Sequence, residues 1–188
     1  MSKQQCDVLS LAYEIAINNS ETAYERLFSL LFPSLKRFAF GITKSAEAAE
    51  EIASDVMITI WRNRSTLLQI DNITVYAYVI AKNLSLNLLK KNSKNNAVSF
   101  EDIDVEVVLN DPSPEQILIT DELKKRLELA IERLPQRCKM VYKLIKEEGL
   151  SYKEAGAILG ISIKTVDAQL VTAVRRIMLA VKREYNLP

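Results

Sequence analysis

The twenty residues from Ser151 to Leu170, SYKEAGAILGISIKTVDAQL, decide how the C-terminal part of the chain folds. Ser151 and Glu154 have the spacing of a capping box, which predicts that a helix begins there. Gly160 is placed to end that short helix in a left-handed cap, and Ser162 can cap a second helix. Two helices joined by a three-residue turn that begins with glycine form a helix-turn-helix, in which the first helix braces the second across a DNA major groove.

A small residue is needed where these two helices cross. Gly156 occupies that place, where alanine is more usual, and it allows a close approach while lowering helix propensity by about 1 kcal/mol. The second helix carries an inner apolar stripe at helical spacing. Its members are Val166, Leu170, Val174, Ile177 and Val181.

Polar and basic residues of the second helix point away from this stripe. We expect the following to face base edges: Lys164, Thr165, Asp167, Ala168 and Thr172. Longer cations on the same helix can reach phosphates: Arg175, Arg176, Lys182 and Arg183. An αα-hairpin that binds no DNA is the alternative, and the agreement of caps, turn glycine, small crossing residue and basic helix argues against it.

The composition predicts helices throughout. The 188 residues are 48% apolar and 26% charged, which is enough for one ordinary domain or two small ones with real cores. Four glycines and five prolines are too few for a turn-rich all-β protein, so the predicted fold class is all-α.

Several kinds of chemistry lack their residue types. There is no histidine, and the two cysteines, Cys6 and Cys138, lie far apart with no metal-ligand spacing around them. Histidine acid–base chemistry, histidine-containing zinc sites and a disulfide framework are therefore disfavoured. No phosphate-binding P-loop or GxSxG nucleophile elbow occurs, so we expect a non-enzyme with no catalytic residue, no metal and no cofactor.

The N-terminal segment is interrupted by charged and amide residues, which does not fit a signal peptide. No apolar run approaches the roughly 18 residues of a spanning helix. We therefore expect a soluble, cytoplasmic protein with no membrane insertion.

The net charge of +1 hides an uneven distribution. Residues 1–91 carry 10 basic and 9 acidic side chains, residues 92–123 carry 1 and 8, and residues 124–188 carry 14 and 7. A basic C-terminal third indicates a polyanionic partner, because clustered lysines and arginines attract phosphate and release its counterions. Solvated, lysine-rich helix faces are the alternative.

The apolar pattern divides the chain into two small helical domains joined by a flexible acidic linker. Helical periodicity from about Val8 to Lys91 predicts an N-terminal helical bundle over residues 1–91. The pattern fails over the polar and acidic residues 92–113, which we assign to the linker. Ser113 followed by Pro114 is a strong helix-start signal, so residues 114–188 form the helix-turn-helix domain.

Local signals place several helix ends. Ser45 can cap a helix that runs from Ala46 to Arg64, and Asp71 or Asn72 can cap the next. In the second domain Pro135 can start a helix, which Gly149 is placed to end in a left-handed cap.

One predicted helix of the first domain combines aromatic, amide and cationic residues, with no acidic residue between Asp71 and Glu101. Such a surface suits an unpaired nucleic-acid strand, because rings stack on bases while lysines and amides take phosphates and base edges. Burial of the two tyrosines in the core is the alternative. The residues are Tyr76, Tyr78, Lys82, Asn83, Asn87, Lys90 and Lys91.

Trp61 lies on a predicted helix whose outer side is charged. An aromatic anchor beside charges is a common composition for a protein interface, and a buried core tryptophan is the equal alternative.

Taken together, these residues resemble the bacterial RNA polymerase sigma factors of the extracytoplasmic-function (ECF) group. AEEIASDVMITIWRNR (residues 49–64) is similar to the family's polymerase-clamp-binding helix, and NITVYAYVIAKNLSLNLLKK (residues 72–91) to its promoter-melting helix. Residues 134–177, from LPQRCKMVYK to LVTAVRRI, are similar to its C-terminal helix-turn-helix domain. The match covers nearly the whole chain in the family's order.

The resemblance implies that the chain binds the polymerase core, through the clamp helices of the β′ subunit and the β flap. The surface on the clamp would contain Glu51, Asp55, Met57 and Trp61. It also implies that an anti-sigma factor sequesters the protein and that the acidic linker runs through the RNA channels of the polymerase. A plain disordered tether is the alternative for the linker.

The resemblance further implies two contacts with promoter DNA. The non-template strand of the −10 element would be captured by Leu68, Gln69, Ile70, Asp71, Asn72, Tyr76, Tyr78, Lys82, Asn83, Asn87 and Lys90. The −35 duplex would be read and held by Ser162, Lys164, Thr165, Asp167, Ala168, Thr172, Arg175 and Arg176. We therefore expect an ECF-type sigma factor that directs promoter recognition and DNA melting.

Two other functions are alternatives. A response-regulator-type transcription factor would use the same helix-turn-helix to bind duplex DNA as a dimer, but the N-terminal half lacks the alternating βα units of a receiver domain. A helical adaptor that binds only protein is disfavoured by the basic helix after Val174.

Overall fold

The computed structural model describes residues 3–92 and 121–185, and all regular structure in these residues is helical, as predicted. The chain divides into two compact units, Met1–Val98 and Ser99–Pro188. The predicted linker, apart from its first residue, and the helix start at Ser113 lie outside the described residues.

The first unit is a helical bundle built around its second helix. Its elements are α1 (Lys3–Asn18), α2 (Glu21–Thr43), α3 (Ala46–Arg62), a 3₁₀ segment (Arg64–Gln69) and α4 (Ile73–Asn92). The helix α2 packs against α1, α3 and α4. It supplies a stripe of buried side chains at helical spacing that forms the centre of the core: Leu27, Leu31, Leu35 and Phe38.

The helix ends of this unit follow the predicted caps. The Ser45 hydroxyl accepts a hydrogen bond from the Ala48 N–H at 3.2 Å, so α3 begins where expected. The helix ends at Arg62, two residues before the predicted end, because the chain tightens there into the 3₁₀ segment. Of the two candidate caps for α4, Asn72 is the one used, since its side-chain oxygen accepts from the Val75 N–H at 3.0 Å.

The second unit is built around its long last helix. Its elements are α5 (Asp121–Glu132), α6 (Gln136–Tyr142), a π-helical segment (Lys143–Glu147), α7 (Tyr152–Leu159) and α8 (Ile163–Tyr185). The helix α8 packs against α5, α6 and α7. One apolar cluster joins α5, α6 and α8: Ala130, Ile131, Leu134, Cys138, Ala173 and Ile177.

The chain between α6 and α7 winds more widely than predicted. The Glu148 N–H donates to the Lys143 carbonyl at 3.0 Å, which is the five-residue spacing of a π-helix. Gly149 then turns the chain in the left-handed conformation, with φ +66°, as predicted. The Lys143 side chain is buried, and its Nζ lies 3.3 Å from Glu147 Oε2.

Across the described ranges, no single helix is long and apolar enough to cross a membrane. The helix α7 and residues 163–181 of α8 together have the length and apolar composition of a span, but the two helices are bent by 103°.

Candidate nucleic-acid and protein interfaces

The helix-turn-helix is α7, the turn and α8, with the predicted caps in place. The Ser151 hydroxyl accepts from the Glu154 N–H at 3.3 Å, and Glu154 Oε2 accepts from the Ser151 N–H at 2.7 Å, which completes the capping box. Gly160 adopts the left-handed conformation with φ +71°. The Ser162 hydroxyl caps α8 by accepting from the Thr165 N–H at 3.0 Å.

Gly156 lies at the crossing of α7 with the turn. Its carbonyl accepts a hydrogen bond from the Ile161 N–H at 3.0 Å, and a Cβ atom at this position would lie 2.8 Å from the Ile161 carbonyl oxygen. Real Cβ atoms do not approach a backbone oxygen so closely. At Gly156, α7 and the turn therefore lie closer together than an alanine side chain would allow.

The outward residues of α8 form two adjacent rows. Lys164, Ala168 and Arg175 follow one another at spacings of four and seven residues, which places them along one line of the helix. Thr165, Thr172 and Arg176 form the second line at spacings of seven and four. All six are exposed except Thr165, which is partly buried, so both rows are open to a partner.

The remaining candidates for the −35 duplex are also open to solvent. Ser162 and Asp167 are exposed, and the Ser162 hydroxyl is hydrogen-bonded to that of Thr165 at 2.8 Å. Asp167 lies apart from both rows, three residues after Lys164 and toward the apolar side. The side chains of Lys182 and Arg183 lie outside the described residues.

The structure also exposes apolar residues on α8 that the sequence analysis did not single out. Val171 and Met178 are both more than half exposed, and with Tyr152 of α7 they line a shallow groove. Their seven-residue spacing is the signal in the sequence that could have found them.

The candidate strand-binding helix α4 presents one open face. Tyr76, Asn83, Asn87 and Lys90 follow one another at spacings of seven, four and three residues, and so share this face. Tyr76 is partly buried, and its hydroxyl accepts from Asn63 Nδ2 at 3.4 Å, while the other three are exposed. We call these four residues the open face of α4.

Tyr78 does not belong to this face, which corrects the expectation from sequence. It lies two residues after Tyr76, about 200° around the helix, so it points into the bundle. Its side chain is only 2% exposed, and its ring meets that of Phe38 edge-on at 5.0 Å. Lys82 is partly buried, and this burial lowers the pKa of its ammonium group.

The segment that leads into α4 is largely open. Leu68, Gln69 and Asp71 are exposed, whereas Ile70 and Asn72 are partly buried. A cavity of about 200 Å³ lies between this segment and α1. The α1 residues that line it were missed by the sequence analysis, because nothing in their spacing connects them to a distant loop: Val8, Leu9 and Ala12.

The helix α3 presents a charged face with one apolar residue. Glu51, Asp55 and Ile58 are exposed and lie at spacings of four and three residues. Met57 is 0% exposed, so its expected place on a contact surface is corrected. It follows Asp55 by two residues and therefore points inward, where its side chain packs in the core beneath the charged face of α3.

Trp61 lies at the end of α3 and is partly buried. Its exposure is intermediate between that of an open interface anchor and that of a core tryptophan, the two alternatives from the sequence. Its ring centroid lies 4.8 Å from that of Tyr24, and the Arg64 guanidinium lies over the ring at 4.7 Å from its centroid. Burial raises the pKa of the Tyr24 hydroxyl. The ring is thus held by an aromatic and a cationic neighbour while keeping some access to solvent.

The described residues contain no cluster of three or more cysteine, aspartate or glutamate side chains that could hold a metal ion.

Two family descriptions match the chain. Residues 27–95 match sigma-70 region 2, and residues 124–177 match sigma-70 region 4. The first match includes α3, the 3₁₀ segment and α4, and the second includes the helix-turn-helix. A response-regulator-type factor is therefore not favoured, because the first unit matches a sigma region.

Relatives carry the same family name. The ECF RNA polymerase sigma factor SigE of Mycolicibacterium smegmatis is 29% identical over 71% of this chain, which spans 52% of that relative. The ECF RNA polymerase sigma factor RpoE of Cereibacter sphaeroides is 26% identical, over 91% of this chain and 93% of its own length. A solved structure of the sigma factor RpoE from Bartonella quintana, in complex with the anti-sigma factor NepR, has the same fold. It aligns over 85% of this chain and 96% of its own, with a TM-score of 0.60 and 20% identity. With both sigma regions present in order, the chain belongs to the sigma-70 family of RNA polymerase sigma factors, within the ECF group.

Proposed function

We propose that this chain binds RNA polymerase core and directs it to a class of promoters, with residues 1–91 acting on the −10 element and residues 114–188 on the −35 element. The observation that carries the proposal is the presence of two open polar surfaces, one on α4 and one on α8, within the two matched sigma regions.

The −35 contact is proposed for the two rows of α8. Lys164, Thr165, Ala168 and Thr172 lie in the first half of the helix, the part that reaches base edges when a recognition helix enters the major groove. Arg175 and Arg176 lie further along, where long cations meet phosphates. Ser162 and Asp167 flank the rows. The basic character of residues 124–188 supports this assignment.

The −10 contact is proposed for the open face of α4 together with Leu68–Asn72. Tyr76 offers a ring for stacking, and Asn83, Asn87 and Lys90 offer hydrogen bonds and positive charge along one line. Capture of unpaired bases by such a surface offsets a few kcal/mol of stacking lost when DNA melts. Lys82 contributes charge at the edge of this face. The buried Tyr78 ring helps to hold α4 in place by packing against Phe38 in the core.

The polymerase contact is proposed for the exposed face of α3. Glu51 and Asp55 give it negative charge, Ile58 adds an apolar centre, and Trp61 stands at its end. A half-buried aromatic side chain beside charged residues has the composition of an interface hot spot. Met57 holds the face in place from the core.

Three further features follow for this chain as proposals. It has no catalytic activity and no cofactor, and acts in the cytoplasm, where polymerase works. An anti-sigma factor binds it, by analogy with the Bartonella quintana structure, which contains one. The β flap of the polymerase is a second contact of the C-terminal unit.

The test is co-elution and transcription with purified core polymerase. We expect the full chain to co-elute with core from a sizing column and to give discrete transcript starts on a genomic library. A Trp61→Ala variant should lose most co-elution, whereas Lys125→Ala, on an exposed position of α5, should keep it. Transcript starts that are unchanged when the chain is left out would overturn the proposal.

A further inference from the structure

We infer that Arg64 is a positioning residue that holds the strand-capture segment Leu68–Asn72 in its binding conformation by tying it to the turn between α1 and α2. The inference rests on the proposed function and names a residue that neither the sequence analysis nor the family match assigns.

Arg64 is the first residue of the 3₁₀ segment and is restrained on three sides. Its Nε donates to Asn19 Oδ1 at 2.7 Å, and its Nη1 donates to the Trp61 carbonyl oxygen at 3.0 Å. The guanidinium also lies over the Trp61 ring. A planar donor group used in two directions and stacked on a ring has little freedom left, and a lysine ammonium could not reproduce this arrangement.

Asn19 presents its side-chain oxygen from an unusual backbone conformation. Its φ is +48°, in the left-handed region that asparagine tolerates better than most residues other than glycine. Asn19 follows directly after α1, which packs along the 3₁₀ segment. The Arg64–Asn19 bond therefore closes one end of that contact.

The other end of the same contact lies at the strand-capture segment. Leu68, Ile70 and Asp71 line the cavity that separates this segment from α1. The segment borders open space on that side, so the anchoring of its beginning helps to set its conformation. Arg64 fixes that beginning four residues before Leu68.

The neighbouring residue links the same point to the open face of α4. Asn63 Nδ2 donates to the Tyr76 hydroxyl at 3.4 Å. Two consecutive residues thus anchor the end of α3. Arg64 links it to the α1–α2 turn, and Asn63 links it to the open face of α4. A segment held before the strand arrives binds it more tightly, because less ordering is needed on binding.

The test compares three affinities. Reconstituted holoenzyme is titrated with a single-stranded oligonucleotide that has the non-template −10 sequence of a promoter found by transcript-start mapping, and with a duplex that has its −35 sequence. The free chain is titrated with core polymerase. Arg64→Ala should weaken binding of the single strand about tenfold, as for loss of a charge-assisted hydrogen bond. Affinity for the −35 duplex should stay within about twofold. Affinity for core should fall less than affinity for the single strand, because Tyr24 still packs against the Trp61 ring.

Three variants separate positioning from other roles. Asn19→Gly, which keeps the left-handed backbone and removes the side-chain oxygen, should weaken single-strand binding and add nothing in the Arg64→Ala background. Arg64→Lys should behave like Arg64→Ala. Arg62→Ala, an exposed arginine two residues earlier, should bind the single strand like the wild type.

Full single-strand binding by Arg64→Lys would overturn the inference, because it would mean that Arg64 acts through its charge on a phosphate. Equal losses for all three probes would also overturn it, since they would indicate a general folding defect. Failure of the proposed function is distinguishable, because the wild-type chain would then form no holoenzyme at all.

Discussion

Gly156 and Ile161 approach so closely that a Cβ atom on the glycine would lie 2.8 Å from the carbonyl oxygen of the isoleucine. Gly156→Ala gains about 1 kcal/mol of helix propensity. The atom that it meets is backbone, however, and relieving such overlap typically costs about 1–3 kcal/mol. We expect a net loss of stability, measured by urea unfolding, together with weaker binding of the −35 duplex because the turn sets the angle of α8.

The control for this variant is Ala157→Gly, on the exposed side of the same helix. It should lower stability through helix propensity alone and leave duplex affinity unchanged once the protein is folded. A more stable Gly156→Ala protein would contradict the expectation and show that the turn moves aside.

The buried pair Lys143–Glu147 should respond to substitution differently from an exposed pair. The two side chains are 0% and 7% exposed. Glu147→Gln removes the negative charge beside a buried ammonium, which typically destabilises by about 3–5 kcal/mol. Lys143→Met alone should destabilise to a similar degree, because it leaves the Glu147 carboxylate buried without its cation, whereas the double variant Lys143→Met/Glu147→Leu should be near neutral or stabilising.

The matched control is Lys36–Glu50, whose side chains are 40% and 61% exposed and lie 2.6 Å apart. Glu50→Gln should change the free energy of unfolding by less than about 1 kcal/mol, since solvent screens exposed pairs. Similar losses for Glu50→Gln and Glu147→Gln in thermal unfolding would contradict this reading.

The two tyrosines of α4 should separate strand binding from folding. Tyr76→Ala removes a ring on the open face, and base–aromatic stacking is worth about 1–3 kcal/mol per base, so single-strand affinity of the holoenzyme should fall while the fold persists. Tyr78→Ala removes a core ring packed on Phe38 and should lower the free energy of unfolding by about 3–5 kcal/mol. The reverse pattern, with a stable Tyr78→Ala chain that fails to bind the strand, would restore the expectation drawn from sequence.

Arg175 is proposed to hold a phosphate rather than to read a base. Arg175→Ala should weaken −35 duplex binding to a similar degree for different sequences and reduce the slope of log affinity against log salt by about 1. Lys125→Ala, on a helix with no candidate DNA residue, should leave the slope unchanged. Relaxed specificity at one base pair with an unaltered slope would show that Arg175 reads a base edge instead.

Cys138 should react slowly in the folded protein. Burial raises the pKa of its thiol, although Arg176 partly opposes this, and the thiol donates to Gln169 Oε1 at 2.8 Å. With the folded pKa above the unfolded one, the thiol's contribution to stability is present below the ordinary pKa of 9.0 and is lost as pH rises through the folded value. In a Cys6→Ser background, iodoacetamide at pH 8 should label unfolded chain much faster than folded chain. Equal rates would show that α6 opens freely.

Local signals were readable from the sequence because their causes lie within a few residues. The capping box at Ser151, the left-handed turn at Gly160 and the cap at Ser45 each depend on one side chain and a nearby N–H, and all three are confirmed. The division of outward and inward residues on α8 followed from helical spacing in the same way.

Features that depend on contacts distant in sequence were not readable. Tyr78 was predicted to bind the strand from the aromatic and cationic composition of its helix, with core burial as the alternative, and Met57 was placed on the clamp surface by the resemblance alone. Both are buried, and their two-residue offsets from Tyr76 and Asp55 agree with that. The buried Lys143 and the wider winding that carries it have no signal in the local sequence. The Arg64–Asn19 bond joins residues 45 positions apart, and no local pattern announces it.

Trp61 is the only tryptophan in the chain, and its indole lies between Tyr24 and Arg64 on the proposed polymerase face. Its fluorescence therefore comes from a single known place. Emission wavelength and quenching by iodide give a label-free optical signal for any ligand without tryptophan, such as an oligonucleotide or a peptide copied from a clamp helix. The protein thus carries its own spectroscopic reporter at the junction where its two proposed tasks in the first unit meet.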